Sequence, residues 1–130
     1  MKIKALVAAV LLTSGVGSVY AQTENCNANS SISHEAVRAK NYKDAYAPCM
    51  AVLKDCPTLR FYTYSDAQKI LKSFLGGIKD RNSADYKKYF DELMQVWDQE
   101  LQYLPELNKK LKTPVSAAKE LGDKAVDYIQ

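Results

Sequence analysis

The chain has 130 residues, 47% of them apolar or aromatic and 25% charged, with a formal charge of +3. That balance belongs to a folded domain and excludes disordered, collagenous or mucin-like chains. The length holds one small domain, too short for a TIM barrel or a two-domain Rossmann enzyme.

Met1 to Ala21 reads as a secretory signal peptide. Lys2 and Lys4 form its charged start and Ala5 to Leu12 its apolar centre. Val19-Tyr20-Ala21 places small residues at −3 and −1 of a cleavage site. The stretch is too short and too broken by Thr13, Ser14, Gly15 and Gly17 to span a membrane. Cleavage would leave a chain from Gln22 of 109 residues, and losing Lys2 and Lys4 lowers the charge to +1. No field then remains to attract nucleic acid or anionic lipid. Export implies a periplasmic or secreted location and an oxidising compartment, so Cys26, Cys49 and Cys56 should give one disulfide and one free thiol. Cys49 and Cys56 lie two helical turns apart, about 10.5 Å, too far for a bridge. Cys26–Cys49 and Cys26–Cys56 remain.

The rest has helical periodicity, with no hairpin turn and no sustained alternation. A first helix is expected from about Ala28 to Lys40, with Ile32, Ala36 and Ala39 on one face. Asn41 marks the turn. A second helix carries Tyr42, Ala45, Cys49, Val52 or Leu53, and Cys56. Pro48 should loosen it and Pro57 stop it. A third runs from about Arg60 to Lys79 with Tyr64, Ala67, Ile70 or Leu71, Phe74 and Ile78 as its stripe. Asn82 or Ser83 caps a fourth helix, about Ala84 to Leu104, striped by Tyr86, Phe90, Leu93, Val96 or Trp97, Leu101 and Leu104 and ended by Pro105. After a lysine-rich stretch, Thr113-Pro114 signals a fifth helix, Val115 to Ile129, with Val115, Ala118, Leu121, Ala125 and Ile129 on one face. The helices thus form pairs over about 28–56 and 60–104, with a last helix over about 115–129.

Helix pairs invite a test for a 34-residue repeat. Ala45 and Pro57 are twelve apart, as the small residue and the closing proline of a tetratricopeptide repeat are, and Tyr42 falls three before the alanine. A longer pattern runs Cys26, Asn41-Tyr42, Ala45, Pro48, Cys56-Pro57. It resembles the opening repeat of exported tetratricopeptide-repeat-like (TPR-like) proteins of the Bacteroidetes. Leu93-Met94 with Trp97-Asp98-Gln99, and Gly122, Lys124, Ala125, Asp127 and Tyr128, resemble later segments of that family. Cys49 departs from a large aromatic of the pattern and Glu100 from a basic residue. Family members generally continue for several more helix pairs, so a short or truncated member is implied.

The expected fold is all-α, antiparallel helix pairs stacked as a short right-handed solenoid closed by a fifth, end-capping helix. Tyr42, Ala45 and Pro57 are its packing residues. In an antiparallel pair the start of the first helix meets the end of the second, which favours Cys26–Cys56 and leaves Cys49 a buried thiol. No catalytic residue, metal set or cofactor is assigned. His34, the sole histidine, sits between Ser33 and Glu35 and reads as a surface residue, and Asp91, Glu92 and Asp98 read as a solvated face. Gly76-Gly77 lacks the Lys-Ser/Thr of a phosphate loop. Tyr46, Tyr62, Tyr89 and Tyr103 fall beside the stripes, where polar-tipped aromatics suit an interface. The expected function is a non-catalytic protein–protein interaction or scaffolding module of the cell envelope, binding a protein or peptide. The alternatives are an accessory or truncated domain of an envelope enzyme, or a structural protein that self-associates through the last helix.

Overall fold

The computed structural model describes residues 23–130, and the signal-peptide reading of Met1–Ala21 lies outside them. Among the described residues all regular structure is helical. Residues 23–38 form α1. It is followed by α2 (Tyr42–Asp55), α3 (Tyr62–Gly76), α4 (Ala84–Asn108) and α5 (Ala117–Ile129).

Helix α1 already includes Cys26, upstream of the expected start, and buries a different face. Cys26, Ser30, Ser33 and Val37 point inward, whereas Ile32 is 57% exposed and Ala39 is also exposed. The small Ser30 meets the start of α3, its hydroxyl 3.3 Å from the Tyr62 hydroxyl. The helix ends in paired backbone bonds, Asn41 N–H to the Ala36 carbonyl at 2.8 Å and Lys40 N–H to Val37 at 2.9 Å. This termination places Lys40 in the left-handed region, at φ 60°.

Helix α2 buries Ala45, Cys49, Val52 and Leu53. Pro48 lies inside it and takes away one N–H from the ladder. The Cys56 N–H closes the last turn on the Val52 carbonyl at 2.7 Å, just before Pro57. A disulfide joins Cys26 to Cys56, with Cα atoms 6.3 Å apart, and Cys49 is a buried free thiol. Cys26 lies within α1 rather than ahead of it, and the bridge fixes the Cys26 turn of α1 at the end of α2. The two helices therefore run antiparallel.

Helix α3 stops at Gly76, so Ile78 falls outside it. Tyr64, Ala67, Ile70 and Leu71 face the core. The Tyr64 hydroxyl donates to the Pro57 carbonyl at 2.6 Å and ties α3 to the end of α2. The Ser83 hydroxyl caps α4 by accepting the Tyr86 N–H at 3.2 Å. Phe74, near the end of α3, packs on Tyr89, near the start of α4, with ring centres 5.0 Å apart. This second pair is thus also antiparallel.

Pro105 does not end α4. The helix continues to Asn108, and both Leu104 and Leu107 are buried. A proline costs the helix one hydrogen bond, about 3 kcal/mol in a helix interior. Burying a leucine returns roughly 1.5–3 kcal/mol, enough to carry the last turn past Pro105. Asn108 then clasps the following loop. Its side chain donates to the Val115 carbonyl at 3.0 Å and accepts the Val115 N–H at 2.9 Å. Helix α5 starts at Ala117, two residues later than expected, because Ser116 is the cap, accepting the Lys119 N–H at 3.1 Å.

Contacts follow an orderly scheme. Each helix touches the next, and helices two apart also meet. His34 of α1 reaches Asp66 of α3, Tyr46 of α2 reaches Glu92 of α4, and Lys72 of α3 reaches Asp127 of α5. The apolar core runs through the middle of this stack and includes Val37, Ala45, Leu53, Ile70, Leu93 and Val96.

Candidate protein-interaction surface

Helix α5 lies on the stack with its charged side inward. The expected apolar stripe faces the other way. Leu121 is 52% exposed and Ile129 79%, and Ala118 and Ala125 are exposed beside them. At 100° per residue, Leu121, Ala125, Ala118, Ile129, Gly122 and Val126 occupy one uncharged face. Glu120, Asp123, Lys124 and Asp127 occupy the opposite one. Glu120 is the one buried residue of the helix.

The inward side is held by polar contacts. The indole N–H of Trp97 on α4 donates to Asp127 at 2.9 Å. Lys72 of α3 approaches the other Asp127 oxygen at 3.4 Å. Lys124 pairs with Asp98 of α4. Lys119 bonds Asp123 at 2.6 Å one turn away. Asp98 is therefore paired, while its side chain stays 62% exposed on a solvated face. Glu92 is also engaged, accepting from the Tyr46 hydroxyl at 2.6 and 2.8 Å.

Two carboxyls are buried at this contact. Glu100 of α4 has 0% exposure and Glu120 of α5 5%. One Glu100 oxygen accepts from the Gln68 amide at 2.9 Å, and its other oxygen, Oε1, has no hydrogen-bond donor. Burial, and then the neighbouring Glu120, push the Glu100 carboxyl up to about 8.

At the other end of the stack, His34 is not the free surface residue expected. Its Nδ1 lies 2.8 Å from Asp66 Oδ2, and the Asp66 side chain is 3% exposed. Burial raises the Asp66 pKa, and the His34 hydrogen bond and charge pull it back. The Tyr62 ring stacks on His34 at 4.1 Å, and Arg60 donates to Ser30 at 3.0 Å. Asp66 restrains the imidazole as in a hydrolase triad, yet the Ser33 hydroxyl is spent on the Ser30 carbonyl at 3.2 Å. The Cys49 thiol donates to the Thr63 carbonyl at 3.5 Å, and burial pushes it up to about 12, so it is not poised as a nucleophile.

The four flanking tyrosines are half-buried. Tyr46 is edge-on to Phe74 and to Tyr89, and burial with the Glu92 contact raises its pKa. Lys88 lies over the Tyr89 ring at 5.3 Å. Tyr62 is in the His34 stack, and Tyr103 packs on the core margin. Tyr42 also packs against the core, Ala45 is fully buried, and Pro57 serves through its carbonyl. The structure gathers Tyr46 and Tyr89 into one aromatic group and leaves Tyr62 and Tyr103 apart.

Tyr128 extends the outer α5 face onto α4 by packing on Phe90, 5.6 Å between ring centres. A cleft of about 410 Å³ lies alongside, with Lys72, Arg81, Tyr86, Phe90 and Asp127 in its walls. Among the described residues no cluster of His, Cys, Asp and Glu is suited to a metal ion, and no helix is long and apolar enough to cross a membrane.

Comparison of the chain with protein-family models, curated proteins and solved structures gives no match. The surface is therefore described by its chemistry. The amphipathic signal of α5 was legible in the sequence, but the side it docks with was not. The burial of Glu100 and Glu120 carried no sequence signal, because a glutamate on a helix ordinarily faces water.

Proposed function

We propose that the chain is a non-catalytic protein–protein interaction or scaffolding module of the cell envelope, built as a short TPR-like stack. The observation that carries the reading is the outward apolar face of α5, centred on Leu121, Ala125 and Ile129. A terminal repeat that only capped a stack would turn a polar face to water. Helix α5 does the reverse, and a contiguous apolar patch of this kind marks a contact surface. The helix-to-helix contacts at one and two elements' distance support stacked pairs, and the Cys26–Cys56 disulfide fits a periplasmic or secreted location. Tyr46, Tyr62, Tyr89 and Tyr103 belong to the same proposal as further partner contacts.

A protein or peptide partner would dock an apolar stripe of its own on α5. The wild-type chain should retain such a partner from native envelope, and Leu121→Glu with Ile129→Glu should release it. Glutamate at exposed Ala47 should not. Retention by the double variant would refute the α5 reading. A second reading, self-association, is favoured by the absence of charge across the face. Two copies could pair α5 against α5 about a two-fold axis without repulsion. Sedimentation over a range of concentrations separates the two, since self-association alone changes mass without a partner.

A further inference from the structure

We infer that Glu100 and Glu120 share one proton across the α4–α5 contact, and that losing this proton releases α5 from the stack. Three observations support this. First, Glu100 Oε1 is fully enclosed with no donor, and the buried Glu120 carboxyl is the neighbour whose charge acts most on Glu100. Two carboxylates cannot bond each other, but a carboxylic acid and a carboxylate can. A proton therefore supplies the missing donor. Second, Glu120 is the single buried residue of α5. The aromatic contact of α5 with α4, Tyr128 on Phe90, lies at the exposed edge of the helix, where Tyr128 is 65% exposed. Third, Lys119, the cation that acts on the pair, offsets it only weakly. From α3, Gln68 donates to Glu100 and the Tyr64 phenol lies within range of its charge. From α5, Lys119 comes only to 4.0 Å of Glu120, is two-thirds exposed, and is already bonded to Asp123. Lys72 and Lys124 are engaged with Asp127 and Asp98. The burial of Glu100 and the nearness of Glu120 both favour retention of the proton at neutral pH.

The device concerns the inner face of α5, while the proposed partner surface is the outer one. It regulates the presentation of that surface but stands without it, because its test needs no partner. Trp97 is the chain's one tryptophan and its indole N–H lies in the contact, on Asp127. Its emission therefore reports docking directly. The full chain is titrated from about pH 5 to about pH 9, following Trp97 emission and amide exchange across α5. Protection of α5 should fall as the pair loses its proton, by up to about tenfold per pH unit, the limit for one proton. Trp97 emission should shift to the red in the same range. Glu100→Gln offers an amide N–H in place of the proton and should hold α5 at both ends of the range. Glu120→Gln, at the edge of the fold, should do the same should Glu100→Gln fold poorly. Lys124→Met should lower protection without moving the midpoint. Constant α5 protection in the wild type would overturn the inference. So would an unchanged pH response in both glutamine variants, or re-docking by calcium in place of protons.

Discussion

Ala45 has no exposed surface and sits where α2 meets its neighbours, whereas Ala47 on the same helix faces water. Ala45→Leu should cost about 1–3 kcal/mol by overpacking, and Ala47→Leu less than about 0.5 kcal/mol. Urea unfolding of the two variants checks the assignment of the face. Cys49 makes a second residue-scale prediction. Its thiol is buried and its pKa raised to about 12, so native protein should resist alkylation while unfolded, unreduced protein should yield one thiol. Ala45 and the cysteine pairing could be read from spacing, because a small residue and a bridge impose strict local geometry. Glu100, Glu120 and Asp66 could not. The partners that make their burial tolerable come from other helices, at separations that no helical period reveals. Asp66, for example, meets His34 across 32 residues.

Among the elements, starts and stops were legible where a single side chain decides them. Ser83 caps α4 and Pro57 follows the end of α2. They were misread where tertiary burial outweighs a local signal, as when Leu107 carries α4 past Pro105. In α1 the disulfide and the small Ser30 and Ser33 decide the inward face, against the larger Ile32. In α5 the apolar stripe was legible as a stripe, but periodicity alone does not say which side docks, and Leu121 and Ile129 face outward. The Asn108 clasp sets the approach of α5, because it fixes both backbone groups of Val115 at the end of the loop. Asn108→Ala should therefore cost about 1–3 kcal/mol, the loss of two partly buried hydrogen bonds. Asn108→Asp, which keeps the acceptor for the Val115 N–H and loses the donor, should fall between. Denaturant midpoints of the three proteins test the order.

Over the whole molecule, the two ends of the stack are secured differently. The Cys26–Cys56 bridge holds α1, and charged groups hold α5. Reducing the disulfide, whose cysteines are 30 residues apart, should cost about 3–4 kcal/mol if chain entropy governs it. Amide exchange should then accelerate in α1 before α3 and α4. The acid pair at the other end makes global stability depend on pH. In the unfolded chain the Glu100 carboxyl has its ordinary pKa of 4.5, and in the folded protein it is raised to about 8. Between those values the folded state holds a proton that the unfolded state has lost. Unfolding is then favoured by rising pH, with a slope of at most about 1.4 kcal/mol per unit for one proton. The stabilising contribution is complete below about pH 4.5 and is lost as pH rises through about 8. Asp66, also raised by burial, adds a loss of the same sign that begins at the acid side. Urea titrations across this range should show stability declining toward alkaline pH in the wild type. Glu100→Gln should flatten the curve over its upper part and leave the Asp66 contribution in place. A wild-type curve that rises from pH 5 to pH 8 would mean that Glu100 is ionised in the folded protein.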